Sequence, residues 1–206
     1  MTDDAAPPLT DKQRRVLEAA MEVFAERGYA GASTSEIAKR AGVAEGTVFK
    51  NYKTKKDLLL GVVGPMFART VAPLLLDDVK AIVNAPHATF EDVLRALYTN
   101  RVTFIRSHAR IVRIAMQEVP FHDEIRELAK ETLTRNVLPD LLAMIRRFQD
   151  AGGLRKDADP MSIVRLIVGT FLAYSVSVVL IAPKGAWDDR AEVELMARTI
   201  ARGLAP

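Results

Sequence analysis

The sequence predicts an all-α protein of about nine helices, a small N-terminal unit of three helices joined to a larger C-terminal helical bundle. Three observations predict the helical class. Apolar residues recur at helical spacings, as in "VLEAAMEVF" (16–24), and no stretch shows a strand pattern of any weight. Cap signatures, a Ser or Thr followed three residues later by Gln, Glu or Asp, punctuate the chain at Thr10, Ser33, Thr54 and Thr89. The breaks are short and bear glycine or proline, with no polar linker long enough to free two independent domains. A chain of 206 residues with 49% hydrophobic content can bury a substantial core.

Taken in order, residues 1–9 form a flexible tail, and Thr10 with Gln13 caps the first helix. That helix buries Val16, Leu17, Ala20, Met21 and Phe24 and stops in "RGYAGA", where Gly28 suits a left-handed cap. Ser33 and Glu36 open a second, short helix, and Gly42 interrupts it. A third begins near Ala44 and continues through Val48 and Tyr52. Thr54 and Asp57 start the fourth, in which Pro65 marks a kink or an early break. Thr89 and Asp92 start the fifth, and the sixth spans Ala109–Glu118. A long helix covers 122–150 with a bend or register change near Pro139, and "AGGLRKDADP" is the clearest loop. After it, Asp159–Pro160 starts an apolar helix to about Ile181, and a last helix occupies 188–202. The chain divides into a front unit, residues 10–56, and a rear bundle, residues 57–206.

Composition removes several function classes. There is no cysteine, so disulfides and thiolate-bound metals are excluded, in keeping with a cytoplasmic location. "MTDDAAPPL" lacks the basic and then apolar order of a secretory signal. The run Leu166–Ala182 carries no formal charge, but it sits at the short limit of a membrane span and is diluted by Gly169, Thr170, Ser175 and Ser177. A helix buried on two sides explains it better, so no membrane partner is expected. His87, His108 and His122 have no metal-type spacing, and no nucleophile elbow or phosphate-binding glycine loop occurs. No catalytic residue, metal or cofactor is assigned, and the chain is read as a non-enzyme.

The net charge of +3 says little, but residues 33–56 hold six Lys/Arg against two Asp/Glu. Within this basic stretch, "TSEIAKRAGVAEGTVFKNY" has the parts of a helix-turn-helix. Ile37, Ala38, Val43 and Val48 supply the surfaces that press two helices together, and Gly42 supplies the turn. With Val48 and Tyr52 facing inward, Thr47, Lys50 and Asn51 fall on other parts of the third helix. Thr47 can touch a thymine methyl or a base edge, Asn51 can pair with adenine, and Lys50 can donate to guanine or phosphate. Lys53, Lys55 and Lys56 suit the backbone. A plain solvated basic face also fits these residues taken alone.

Residues 14–58 resemble the DNA-binding domain of the TetR family of transcriptional regulators. "EAAMEVFAERGYAGAS", "TSEIAKRAGVAEGTVFKNY" and "KTKKDL" carry the resemblance, in that order and spacing. It implies a homodimer on a partly palindromic double-stranded DNA operator, usually as a repressor that a small-molecule effector releases. It implies a phosphate contact at Thr34, base or phosphate contacts at Thr47, Phe49, Lys50 and Asn51, and a backbone contact at Lys55. Tyr52 matches a core position and is packing first, contact second. Phe49 stands where tyrosine is usual, Ala44 replaces a frequent serine, and Asn51 a frequent histidine or tyrosine, so operator preference does not carry over. The alternative is a helical ligand-binding or protein-interaction module that no longer binds DNA.

The rear resemblance rests on helix count and the "AGGLRKDADP" loop. It implies dimerisation through the last two helices, with Val193, Met196 and Ile200 as the candidate stripe at spacings of three and four. Burial within one subunit is the other reading of that stripe. Phe67, Phe90, Tyr98, Phe104, Met116, Phe171 and Tyr174 are the candidate effector pocket, favouring a mostly apolar or aromatic small molecule. Arg101, Arg106, Glu118 and Asn136 can add polar selection, or simply face solvent.

Overall fold

A computed structural model describes residues 10–66, 72–183 and 185–206, with side chains described outside 63–66 and 72–77. The expected all-helical class holds throughout these residues. The front unit is α1 (Asp11–Gly31), α2 (Thr34–Ala41), α3 (Glu45–Asn51) and α4 (Lys55–Met66). Three of the four starts, those of α1, α2 and α4, are capped by side chains. Thr10 and Gln13 exchange both bonds of a capping box, and Thr54 and Asp57 do the same at 3.0 Å each way. Ser33 accepts the Glu36 N–H at 3.1 Å. Regular α1 geometry breaks at Gly28, whose φ of 69° and ψ of 169° lie outside the left-handed helical cap expected there.

The rear bundle holds α5 (Ala72–Asn84), α6 (Phe90–Ser107), α7 (Ala109–Glu118), α8 (Asp123–Thr132), α9 (Leu138–Asp150), α10 (Pro160–Val176) and α11 (Asp189–Gly203). The count exceeds the expected nine for two reasons. "APLLLDDVKAI" lies in a helix of its own, α5, and a π turn at Leu133–Val137 divides the long 122–150 helix into α8 and α9. Pro139 is the second residue of α9. It has no N–H for the preceding turn, which widens into the bulge. The "AGGLRKDADP" loop is pinned: the Gln149 amide donates to the carbonyls of Arg155 and Ala158, and Arg155 N–H donates to Leu204 O.

Two cores result. The rear core centres on Leu94, Tyr98, Met144, Ile145, Ile163 and Ala197. The front core joins Val16, Phe24, Ile37 and Val48 to Leu58 and Leu59 of α4, past residue 56, and takes in Ile114 of α7 and Ile125 of α8. The front helices are therefore set directly on the rear bundle. A unit this small gains most of its stability from such shared burial.

Candidate nucleic-acid interface

Gly42 makes the turn between α2 and α3 in the left-handed conformation (φ 65°, ψ 39°), which a side chain resists. Ala38, buried at the contact, lets the helices close, and Val43 N–H returns to Ala38 O at 3.1 Å. Val48 anchors α3 from beneath. At the end of α3, half-buried Tyr52 packs on α4 at Gly61, where an added Cβ would come within 2.6 Å of the ring. Burial pushes the Tyr52 hydroxyl's pKa up. Tyr52 is thus a packing residue that fixes the helix's angle. Gly61 is its counterpart, and nothing in the local sequence pattern marks it.

Glu45, Gly46, Phe49, Lys50 and Asn51 are exposed on α3, and Thr47 is half-buried. Phe49, at 44% exposure, is a large aromatic ring in solvent. Asn51 is already engaged: its Oδ1 accepts from Gln13 Nε2 at 3.3 Å and its Nδ2 donates to Thr47 O at 3.1 Å. One acceptor position and one amide hydrogen remain for a base. The Thr34 hydroxyl, at the start of α2, donates to Glu45 Oε1 at 2.8 Å.

The lysines divide in an unexpected way. Lys55 is not a free backbone contact. Its ammonium donates to the carbonyls of Tyr29 at 2.7 Å, Ala30 at 3.4 Å and Ala32 at 3.1 Å, and sits over the Tyr29 ring. It thereby staples α4 to the end of α1, where the helix's last carbonyls lack partners. Lys56 pairs with Glu124 of α8 at 2.6 Å, and that hydrogen bond holds the Glu124 carboxyl below the usual range. Lys39, Lys50 and Lys53 are exposed and take part in no ion pair among the described residues, whereas Arg14, Arg27 and Arg40 of the front unit are paired. Gly28 ends the regular geometry of α1 just before Tyr29, whose N–H is taken up by Glu118 Oε1 of α7 at 3.0 Å. Tyr29 also meets the His122 ring edge-on at 4.9 Å.

The rear candidates are placed differently from expectation. Val193, Met196 and Ile200 are buried within the single chain, so that stripe is core and not a partner-facing surface. The exposed apolar residues of the last two helices are Leu166, Val168 and Leu172 on α10 and Leu195 on α11. The described members of the pocket set are likewise engaged in packing and hydrogen bonds, mostly with residues outside the set. Tyr98 stacks on Phe171 and bonds Ile167 O, Phe90 meets Phe148, Phe104 stacks on His108, and Met116 packs against the rear core. Tyr174 hydrogen-bonds Asp189, which also pairs with Arg106. Phe67 lies outside the described residues. A cleft of about 560 Å³ runs between α6 and α11, lined by Arg95, Thr99, Val102, Thr103, Arg106 and Val193 among others, and includes none of the six described members of the set. Arg101 is buried beside Asp78, Asn136 lies in the π turn, and Glu118 faces the front unit.

The family profile of bacterial regulatory proteins, tetR family, matches residues 16–62, which span α2, α3 and their supports. The uncharacterized HTH-type transcriptional regulator YuxN of Bacillus subtilis (strain 168) is 26% identical over 125 residues, 60% of this chain and 41% of that protein. The fatty acid metabolism regulator protein of the same organism is 25% identical over 160 residues, covering 77% of this chain and 79% of the relative. Among solved structures, the transcriptional regulator FadR from Bacillus subtilis in complex with stearoyl-CoA superposes with a TM-score of 0.68 at 23% identity. That match covers 93% of this chain and 98% of the other.

Proposed function

We propose, because the chain belongs to the TetR family of transcriptional regulators, that it binds a partly palindromic DNA operator as a homodimer, represses transcription there, and is released by a small-molecule effector. The observation that carries this reading is the exposed polar face of α3, with Lys50 and Asn51 on it and Lys53 just beyond, held outward by the Gly42 turn on one side and by Tyr52 against Gly61 on the other. Thr47, Lys50 and Asn51 are the base readers, and Phe49 packs on the sugar–phosphate edge. Lys53 and the main-chain N–H of Thr34, at the start of α2, serve the DNA backbone, since the Thr34 hydroxyl hydrogen is given to Glu45. Lys55 supports the helix and makes no contact of its own. The protein acts in the cytoplasm, where the DNA is.

The salt dependence of duplex binding tests this division of labour. Lys53→Ala is expected to lower the slope of log affinity against log salt by about one, because one phosphate contact is lost. Lys55→Ala is expected to leave the slope near wild type while lowering folding stability by about 1–3 kcal/mol, the scale of a charged hydrogen bond left unmade. A Lys55→Ala protein of normal stability with a reduced slope would restore a DNA contact to that residue.

Two readers on one operator must sit roughly 34–36 Å apart or a multiple of that, so a second subunit has to be fixed rigidly. Leu166, Leu172 and Leu195 support α10 and α11 as the shared face, since large apolar side chains left exposed on the last two helices call for a cover. The same pairing accounts for the membrane-like composition of Pro160–Ile181, whose opposite side is packed in the rear core.

Release requires the effector to bind a DNA-incompetent arrangement better than the competent one. Helix α7 is placed to transmit the difference. Glu118 near its end holds the Tyr29 N–H, and Arg113 donates to Val179 O in the π turn that ends α10, at 2.5 Å. The stearoyl-CoA bound by the similar regulator makes a long-chain acyl thioester the first effector to try. Stearoyl-CoA is expected to bind the dimer and to raise the concentration of protein needed to shift a duplex. Bound stearoyl-CoA with unchanged DNA affinity would contradict the coupling.

A further inference from the structure

We infer that Glu45 selects sequence: its carboxylate accepts a hydrogen bond from a cytosine amino group in each half-site, and Gly46 beside it gives α3 the room to come close enough. This rests on the DNA-binding reading above and extends it to a residue that lysine-centred reasoning passes over.

Glu45 is an exposed carboxylate on the surface that carries Lys50, and it joins no ion pair among the described residues. Its hydrogen-bond partner is the Thr34 hydroxyl at 2.8 Å, which fixes Oε1 and leaves Oε2 with its lone pairs uncommitted. A negative charge facing phosphates works against binding unless it meets a donor. The major-groove edges decide which donor. Guanine offers two acceptors, thymine an acceptor and a methyl, and adenine an amino group beside an acceptor nitrogen that repels a carboxylate. Cytosine offers an amino donor with no acceptor on its own base in the groove, flanked by C5–H on one side and by an acceptor, the O6 of its paired guanine, on the other side alone.

Gly46 points the same way for an independent reason. A Cβ there would meet nothing within 4 Å, and its φ is outside the positive range shared by Gly28, Gly42 and Gly152. Neither packing within the chain nor backbone conformation calls for glycine, while a glycine inside a helix weakens it. A requirement from outside the chain, the close approach of a duplex, accounts for the choice. The plainer account of Glu45 is a favourable charge in the first turn of α3, where Ala44 provides no side-chain cap. That account predicts an effect on stability and none on base preference.

Selection of duplexes from a randomised pool by the full-length protein, with sequencing of the bound fraction, separates the two. The wild type is expected to enrich a two-fold motif with a fixed cytosine in each half. Glu45→Gln keeps size and the Thr34 bond but removes the charge; preference for that cytosine is expected to fall at least tenfold, and affinity for unselected duplex to rise. Gly46→Ala is expected to hold or raise the melting temperature while lowering affinity for the selected duplex at least tenfold. A Glu45→Gln motif identical to wild type, or a Gly46→Ala protein that binds as wild type does, overturns the inference while leaving DNA binding intact. A wild type that enriches no motif overturns the DNA-binding reading itself.

Discussion

Leu172→Asp is expected to convert the dimer to a monomer and to lower operator affinity by roughly 100-fold or more, because each half-site is then bound without the effective concentration its partner supplies. Leu172 is 52% exposed in the single chain, so the new carboxylate costs the monomer's fold little. In a two-subunit face it would be stripped of water opposite apolar neighbours, and an unpaired buried charge is one of the costliest defects an interface can carry. Mass by light scattering and operator titration on the same preparation check it. A folded Leu172→Asp protein that remains dimeric would move the interface off this part of α10. The converse experiment at Val193, Met196 or Ile200 reports something else: these side chains are core, so truncation there reads as lost stability of each subunit.

Gly61→Ala is expected to reduce operator affinity by more than tenfold and to cost about 1–3 kcal/mol of stability, the usual range for forcing one methyl group into a packed site. The added Cβ would stand 2.6 Å from one Tyr52 ring carbon, with two others at 3.3 and 3.4 Å. Relieving that contact means moving the half-buried Tyr52 ring out of its packing against the front core, or moving the end of α3 that carries it. Pairing Gly61→Ala with Tyr52→Leu, which removes the flat ring, is expected to recover part of the affinity. If Gly61→Ala alone binds as wild type does, Tyr52 is not what sets the angle of the reading helix.

What the sequence could convey depended on how far apart the partners lie along the chain. The caps at Thr10, Thr54 and Thr89 bond residues three positions away, so their chemistry is written in adjacent letters, and all three form both bonds. The limits of α7 agree with the expectation at both ends, since Pro120 closes it locally. Lys55 shows the opposite case. Its residue type and position are plain, but the carbonyls it bonds lie 23 to 26 residues earlier, at an α1 end whose shape depends on Gly28. A lysine reads as available for phosphate until that end is seen.

The rear bundle was harder to read for a related reason. Periodicity identifies Val193, Met196 and Ile200 as a buried face without saying which surface covers it, and the cover is this chain's own core. Aromatic residues pose the same ambiguity: Tyr98 and Phe171 can wall a cavity or fill one, and here they stack on each other. Gly61 and Gly46 were invisible because their meaning lies in what surrounds them, a tyrosine ring for one and open space for the other.

The claim on which all of this turns is that the outward face of α3 enters the major groove of duplex DNA. Dimethyl sulfate footprinting of the wild-type complex on a selected duplex tests it most directly, because the reagent methylates guanine N7 in the major groove and adenine N3 in the minor groove. The expected result is protection of guanine N7 in two patches on one side of the duplex, with adenine N3 unaffected and one protected guanine per half-site lost in Lys50→Ala. Binding with no guanine protected, or with protection confined to adenine N3, would contradict it.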